Sequence, residues 1–351
     1  MMREYGSDRS GMLGRAVMLL LLVPFICAPQ TDSEYARGVA AFRAGDYASA
    51  ADLFAKAELA APGTSDALIY QAKSLIHLQN FGSSESALRR YIAVHTDSHE
   101  ALYLLGFVLH RENKASESVE IYTKAAALKT PMGEDLKIVG LDYVLLNDYA
   151  NAVKWLEKAV ELDPKNKDAW YYLGRAYYSR SLLPESRRAF LTVLDLDPRD
   201  SRAENNLGLI LESEAKPDEA LEAYRKAMEW QAGSAHRSEQ PYLNFGSLLL
   251  ELDRASEAIA PLEKAVEFGP DNASCHWKLG TGYLRANRLL EAQRELEKAE
   301  RLEPENAAIH YQLARFYKQM HWMDKAKIEF QRTEELQSRL ARSRPSVSPN
   351  P

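Results

Sequence analysis

The chain has 351 residues, 46% of them hydrophobic, with a formal net charge of −6. That supplies enough apolar material for a continuous core. Lys and Arg are scattered among Glu and Asp rather than gathered in a stripe, which argues against nucleic acid as a partner, and two cysteines exclude a disulfide scaffold.

Residues 1–28 stand apart. Arg3, Arg9 and Arg15 precede an apolar run from Ala16 to Ala28, interrupted only by Pro24. A basic region followed by about 13 apolar residues is the layout of an export signal. The run is shorter than the roughly 20 residues a membrane span needs, so an uncleaved N-terminal anchor is the alternative. Cleavage after Ala28 would leave Cys275 as the one cysteine; Ile26 makes Cys27 a poor lipidation site, and a start at Met12 would give a more compact signal. The expected location is exported, periplasmic or secreted, with membrane contact only through this segment if it is retained.

From about residue 32 to 338 one unit recurs. In residues 167–200, Trp170, Leu173, Gly174 and Tyr177 share one helix face, and Ser186, Phe190 and Val193 share a second, before Pro198 closes the unit. Stepping from Gly174 by 34 residues lands on Gly140, Gly106, Ala72 and Gly38 in one direction and Gly208 in the other. A step of 38 then reaches Gly246, followed by Gly280 and Ala314. Twelve residues after each of these comes Ala50, Ser84, Ser118, Ala152, Ser186, Ala220, Ala258, Ala292 or Ala326, and four further on a large residue, from Phe54 and Leu88 to Leu296 and Phe330. Pro62, Pro164, Pro198, Pro270 and Pro304 end units because proline cannot continue a helical hydrogen-bond ladder. The spacing predicts nine antiparallel helix pairs, close-packed where small residues recur. The extra residues near 231–240 form either a mild hinge or a longer surface loop. The last helix is expected to run to about Leu340 as a polar cap, with a disordered Pro/Ser-rich tail over 339–351.

The period, the small columns, the large column and the closing prolines together resemble the tetratricopeptide repeat (TPR) family across nearly all of residues 32–338. Single repeats depart from the pattern: Ala72 and Ala314 replace glycine, Tyr91 stands where a small residue is usual, and Thr96 and Thr130 replace the closing proline. The resemblance implies an all-α solenoid of about nine repeats forming a right-handed superhelix. It also implies that the first helix of each repeat lines a concave groove binding a protein or an extended peptide. Groove positions would lie three before, one after and four after the small reference residue. They include Tyr35, Phe42, Tyr103, Phe107, Tyr171, Arg175, Tyr178 and Asn205. Asn206 and Asn244 occupy equivalent positions two before the reference, and an asparagine amide can read a peptide backbone through both donor and acceptor. Lys73, Arg111 and Arg175 do not reproduce the carboxylate clamp of chaperone-binding relatives.

No catalytic constellation is evident. His95 and His99 flank a repeat junction, His276 and His310 fall where the family commonly buries a tryptophan, and Cys275 reads as a small buried hydrophobe. The expectation is a non-enzymatic scaffold or adaptor without cofactor or metal, or an accessory subunit of a cell-envelope enzyme or assembly complex.

Overall fold

The computed structural model describes residues 33–63, 66–233 and 237–343. The proposed signal or anchor over 1–28 lies outside these residues. The described residues form eighteen α-helices and no strand. Two compact units divide at Gln79.

The first unit holds α1 (Glu34–Arg43), α2 (Tyr47–Ala60) and α3 (Ala67–His77). Its core is Ala50, Phe54, Ala57 and Ala67, covered by Tyr35, Val39, Phe42 and Tyr70. Tyr35 meets the Phe54 and Tyr70 rings edge-on at 5.6 and 6.2 Å, and Phe42 meets Tyr70 at 5.8 Å. These two expected groove residues are therefore built into the unit's own packing.

The second unit carries α4 (Phe81–Val94), α5 (His99–Arg111), α6 (Ala115–Leu128), α7 (Gly133–Leu145), α8 (Tyr149–Leu162), α9 (Lys167–Ser179), α10 (Leu183–Leu196), α11 (Ser201–Ser213) and α12 (Pro217–Gln231). After the insertion come α13 (Gln240–Glu251), α14 (Ala255–Phe268), α15 (Ala273–Arg285), α16 (Leu289–Leu302), α17 (Ala307–Gln319) and α18 (Met323–Ser343). Within it α5 pairs with α6, α7 with α8 and so on to α17 with α18, and each second helix also packs on the first helix of the next repeat.

The glycine column exists because the large residue sixteen positions later lies directly on it. A Cβ at Gly174 would stand 2.9 Å from the Phe190 ring, one at Gly208 2.4 Å from Tyr224, and one at Gly140 2.6 Å from Leu156. Where the intervening small residue is serine, its hydroxyl donates to that glycine's carbonyl: Ser118 to Gly106 at 2.9 Å and Ser186 to Gly174 at 2.8 Å. The pair is thus clamped without leaving a buried hydroxyl unsatisfied. Seven residues after each reference the chain turns through a left-handed residue: Gly45, Gln79, Asn113, Asn147, Ser181, Ala215, Asp253, Asn287 and His321, at φ between 57° and 80°. One such residue reverses the chain between paired helices, and Gly, Asn and Asp bear that conformation at least cost.

The insertion between α12 and α13 does not interrupt the core. One apolar cluster runs from Leu211 through Tyr224 and Leu243 to Ala326. The buried Gln231 side chain clips the loop shut, donating to Ser238 O at 2.8 Å and accepting from Ser238 N at 3.0 Å. Gln231 and Ser238 are thus tied together across the insertion. Helix α18 runs to Ser343, so residues 339–343 are helical where a tail was expected; residues 344–351 lie outside the described part. None of the described helices is long and apolar enough to cross a membrane.

Candidate functional site

Several first helices, among them α5, α9 and α11, begin at side-chain caps that satisfy free amide groups of the opening turn. Ser98 accepts from Ala101 N, Asn166 from Ala169 N at 3.0 Å, and Asp200 from Arg202 N and Ala203 N. The expected groove residues Tyr103, Phe107, Tyr171, Arg175, Tyr178, Asn205 and Asn206 lie on these three helices, and Asn244 on α13.

Tyr103 and Phe107, both half-buried, line a cavity of about 580 Å³ with Tyr122, Met132, Asp135 and Ile138. The Tyr103 hydroxyl donates to Lys129 O at 2.6 Å. Burial, offset in part by the Met132 N–H, holds the Asp135 carboxyl above its ordinary range. Arg175 falls in a second cavity of about 470 Å³, with His110, Arg111, Leu141, Val144 and Tyr172 among its lining residues. Arg175 is exposed and makes no ion pair among the described residues, while the Arg111 guanidinium lies 4.8 Å from the centre of the Phe81 ring. No carboxylate lines this cavity. Beneath it His110 Nδ1 lies 2.7 Å from Asp142 Oδ1, and Asp142 is fully buried.

Tyr171, Tyr178, Asn205, Asn206 and Asn244 lie on α9, α11 and α13, and several of them pair across neighbouring repeats. The position three before the reference in one repeat faces the position two before it in the next. Asn206 Nδ2 therefore donates to the Tyr171 hydroxyl at 3.4 Å, and Asn244 Nδ2 donates to Asn205 Oδ1 at 2.9 Å. Asn206 and Asn244 do not pair with each other. Asn206 also donates to Arg202 O at 2.7 Å, Asn205 is buried, and Tyr178 shares a hydrogen bond with Ser213 at 3.2 Å. Arg202 lies 4.6 Å from the centre of the Tyr171 ring, at once cation–π partner and ion-pair partner of Asp168 and Asp200. These polar groups are largely consumed inside the array.

Sequence reasoning missed Asp142, whose signal was a lone acid in an otherwise apolar stretch of α7. It also missed a third cavity, about 960 Å³, where Leu336 and Leu340 of α18 face Trp277, Tyr311 and Gln312.

The histidines follow a repeated device. Trp170 Nε1 donates to Pro164 O at 3.0 Å. At the equivalent place, His276 and His310 put Nε2 at 2.9 Å from Pro270 O and Pro304 O. Their Nδ1 atoms lie 2.7 Å from Glu295 and Glu329. The thiol of the fully buried Cys275 is pushed up to about 12 by burial and then by the charge of Glu239, which removes it as a nucleophile at neutral pH.

Comparison with known proteins agrees with this architecture. The family described as TPR repeat matches residues 140–181, and that described as tetratricopeptide repeat matches residues 70–131, 182–235 and 278–318. The TPR repeat-containing protein MJ1428 of Methanocaldococcus jannaschii is 25% identical over 175 residues, 46% of this chain and 30% of the relative. The type IV pilus assembly protein PilF of Pseudomonas aeruginosa is 30% identical over 99 residues, 28% of this chain and 38% of the relative. The chain thus aligns with only about a third of each of these relatives. The crystal structure of a tetratricopeptide repeat protein from Parabacteroides merdae superposes with a TM-score of 0.58 at 17% identity, covering 74% of this chain and 97% of that one. With matches spread over most of the array, and helix pairs, glycine clamp and turns recurring in register, the chain belongs to the tetratricopeptide repeat family.

Proposed function

We propose that this protein is a non-catalytic adaptor whose first-helix face binds an extended segment of another protein, and that the segment presents a carboxylate. The observation that carries this reading is the 470 Å³ cavity, whose lining joins Arg111 and Arg175 with apolar Leu141, Val144 and Leu145 and holds, among the described residues, no carboxylate. A guanidinium pairs with a carboxylate through two parallel hydrogen bonds, and an apolar floor strengthens that pair by excluding water. Tyr103 and Phe107 in the neighbouring cavity would receive an apolar side chain of the same segment. The non-enzymatic reading is supported by the use of His276, His310 and Cys275 in packing.

The basic and apolar N-terminal segment supports a place in the cell envelope. The likeness to a pilus assembly protein favours a second reading, an accessory subunit of an envelope assembly complex.

The test is to select peptides from a displayed random library on the full chain, then measure their affinity by fluorescence anisotropy. Selected peptides are expected to carry Asp, Glu or a free C-terminal carboxylate, and to bind at least about tenfold more weakly to the Arg111→Ala/Arg175→Ala variant. Selection of uncharged peptides, or unchanged affinity in the variant, would move the site elsewhere. Arg175 is a cleaner probe than Tyr171, which Arg202 and Asn206 tie into the array.

A further inference from the structure

Repeats 8 and 9 contain the same histidine–glutamate pair, and the difference between them is informative. In repeat 8, Glu295 accepts from His276 on one side and from Arg294 at 2.9 Å on the other, so its carboxylate is balanced by cations. In repeat 9, Glu329 accepts from His310, but the residue corresponding to Arg294 is Ile328, and no arginine reaches it. A second carboxylate arrives instead. Glu300, on α16 of repeat 8, stands where α14 of repeat 7 has Val266. Its oxygen, the His310 ring nitrogen and a Glu329 oxygen all lie within 4.8 Å of one another. Glu300 is only half-exposed and, among the described residues, makes no hydrogen bond or ion pair. The place around Glu329 has thus lost a cation contributed by its own repeat and gained an acid contributed by the repeat before.

We propose that Glu300, His310 Nδ1 and Glu329 form a binding site for a divalent transition-metal ion of the zinc class. An imidazole nitrogen with two carboxylates is a donor set such ions accept, and three protein ligands leave room for water. The second ring nitrogen is already placed as metal-binding histidines require. His310 Nε2 faces Pro304 O at 2.9 Å, which fixes the ring's orientation and leaves Nδ1 to the ion. The ion would replace the Nδ1 proton and offset the two carboxylates. Because the ligands come from α16, α17 and α18, it would staple the terminal helix to the repeat before it.

The test uses the untagged full chain, titrated with Zn²⁺ in an isothermal calorimeter, with a thermal melt at each ratio. Wild type is expected to bind one ion with a rise in melting temperature. Glu300→Val, which installs the residue that α14 of repeat 7 carries at this place, should weaken binding at least about tenfold and abolish the rise. The melting temperature without metal should stay at or above that of wild type, which separates loss of a ligand from misfolding. His276→Gln should bind as wild type. Absence of saturable binding, or equal binding by Glu300→Val, would overturn the proposal.

Discussion

At the scale of single residues, buried polar groups reveal how the array is specified. His276 and His310 occupy the tryptophan position and keep its hydrogen bond to the closing proline carbonyl, so a residue type unusual for the position preserves the contact. The hydrogen bond to Glu295 raises the His276 pKa against the opposing effect of burial. Glu295 is held low although its burial pushes the other way, because His276 and Arg294 both donate to it. A histidine whose folded value lies above its unfolded value, about 6.5, contributes fully below that pH and loses its contribution as pH rises through the folded value. Urea unfolding followed by circular dichroism should therefore show stability falling as pH rises above about 6.5, with a shallower fall in His276→Gln. An identical slope in the variant would show that the pair is not linked to folding. The histidine positions were legible as structural, but their carboxylate partners lie nineteen residues away on another helix, and nothing in the periodicity marks those glutamates apart from solvent-facing ones.

At the scale of helices, the clamp between a first and a second helix is steric. Gly174 is required because the Phe190 ring already fills the space of a Cβ. Gly174→Leu is expected to cost about 1–3 kcal/mol through overpacking. A melting temperature equal to that of wild type would refute this account of the crossing. The small and large columns were readable because every repeat imposes the same volume constraint. The turn column was partly visible in Gly45, Asn113, Asn147, Asp253 and Asn287 but obscured by Gln79, Ser181, Ala215 and His321. The equivalent asparagines Asn206 and Asn244 meet different partners for a geometric reason: positions in adjacent repeats are offset by a residue, so Asn244 reaches Asn205 and Asn206 reaches Tyr171. Alignment of a repeat with itself cannot show that offset, because it depends on how neighbouring helices slide.

At the scale of the second unit, packing is uneven. From Leu211 to Ala326 one cluster of buried apolar residues spans several repeats, whereas the cores around Leu156, Phe190 and Tyr122 are smaller and are joined through half-buried Tyr143, Trp155 and Trp170. The cavities lined by Tyr103 and by Arg175 both lie in the segmented part. Amide hydrogen exchange should accordingly be slower in α13–α16 than in α5–α8, since local opening follows the buried contacts that must be broken. Equal protection across both stretches would contradict this reading. The turns add a consequence for how the sequence can change. Of the nine left-handed turn residues, Gly45 alone is glycine, and Gln79, Ser181, Ala215 and His321 hold a backbone shape that costs an ordinary side chain about 1 kcal/mol. The chain therefore carries unspent tolerance at evenly spaced points: a lineage that drifts toward instability elsewhere could recover it one turn at a time, without touching a groove residue.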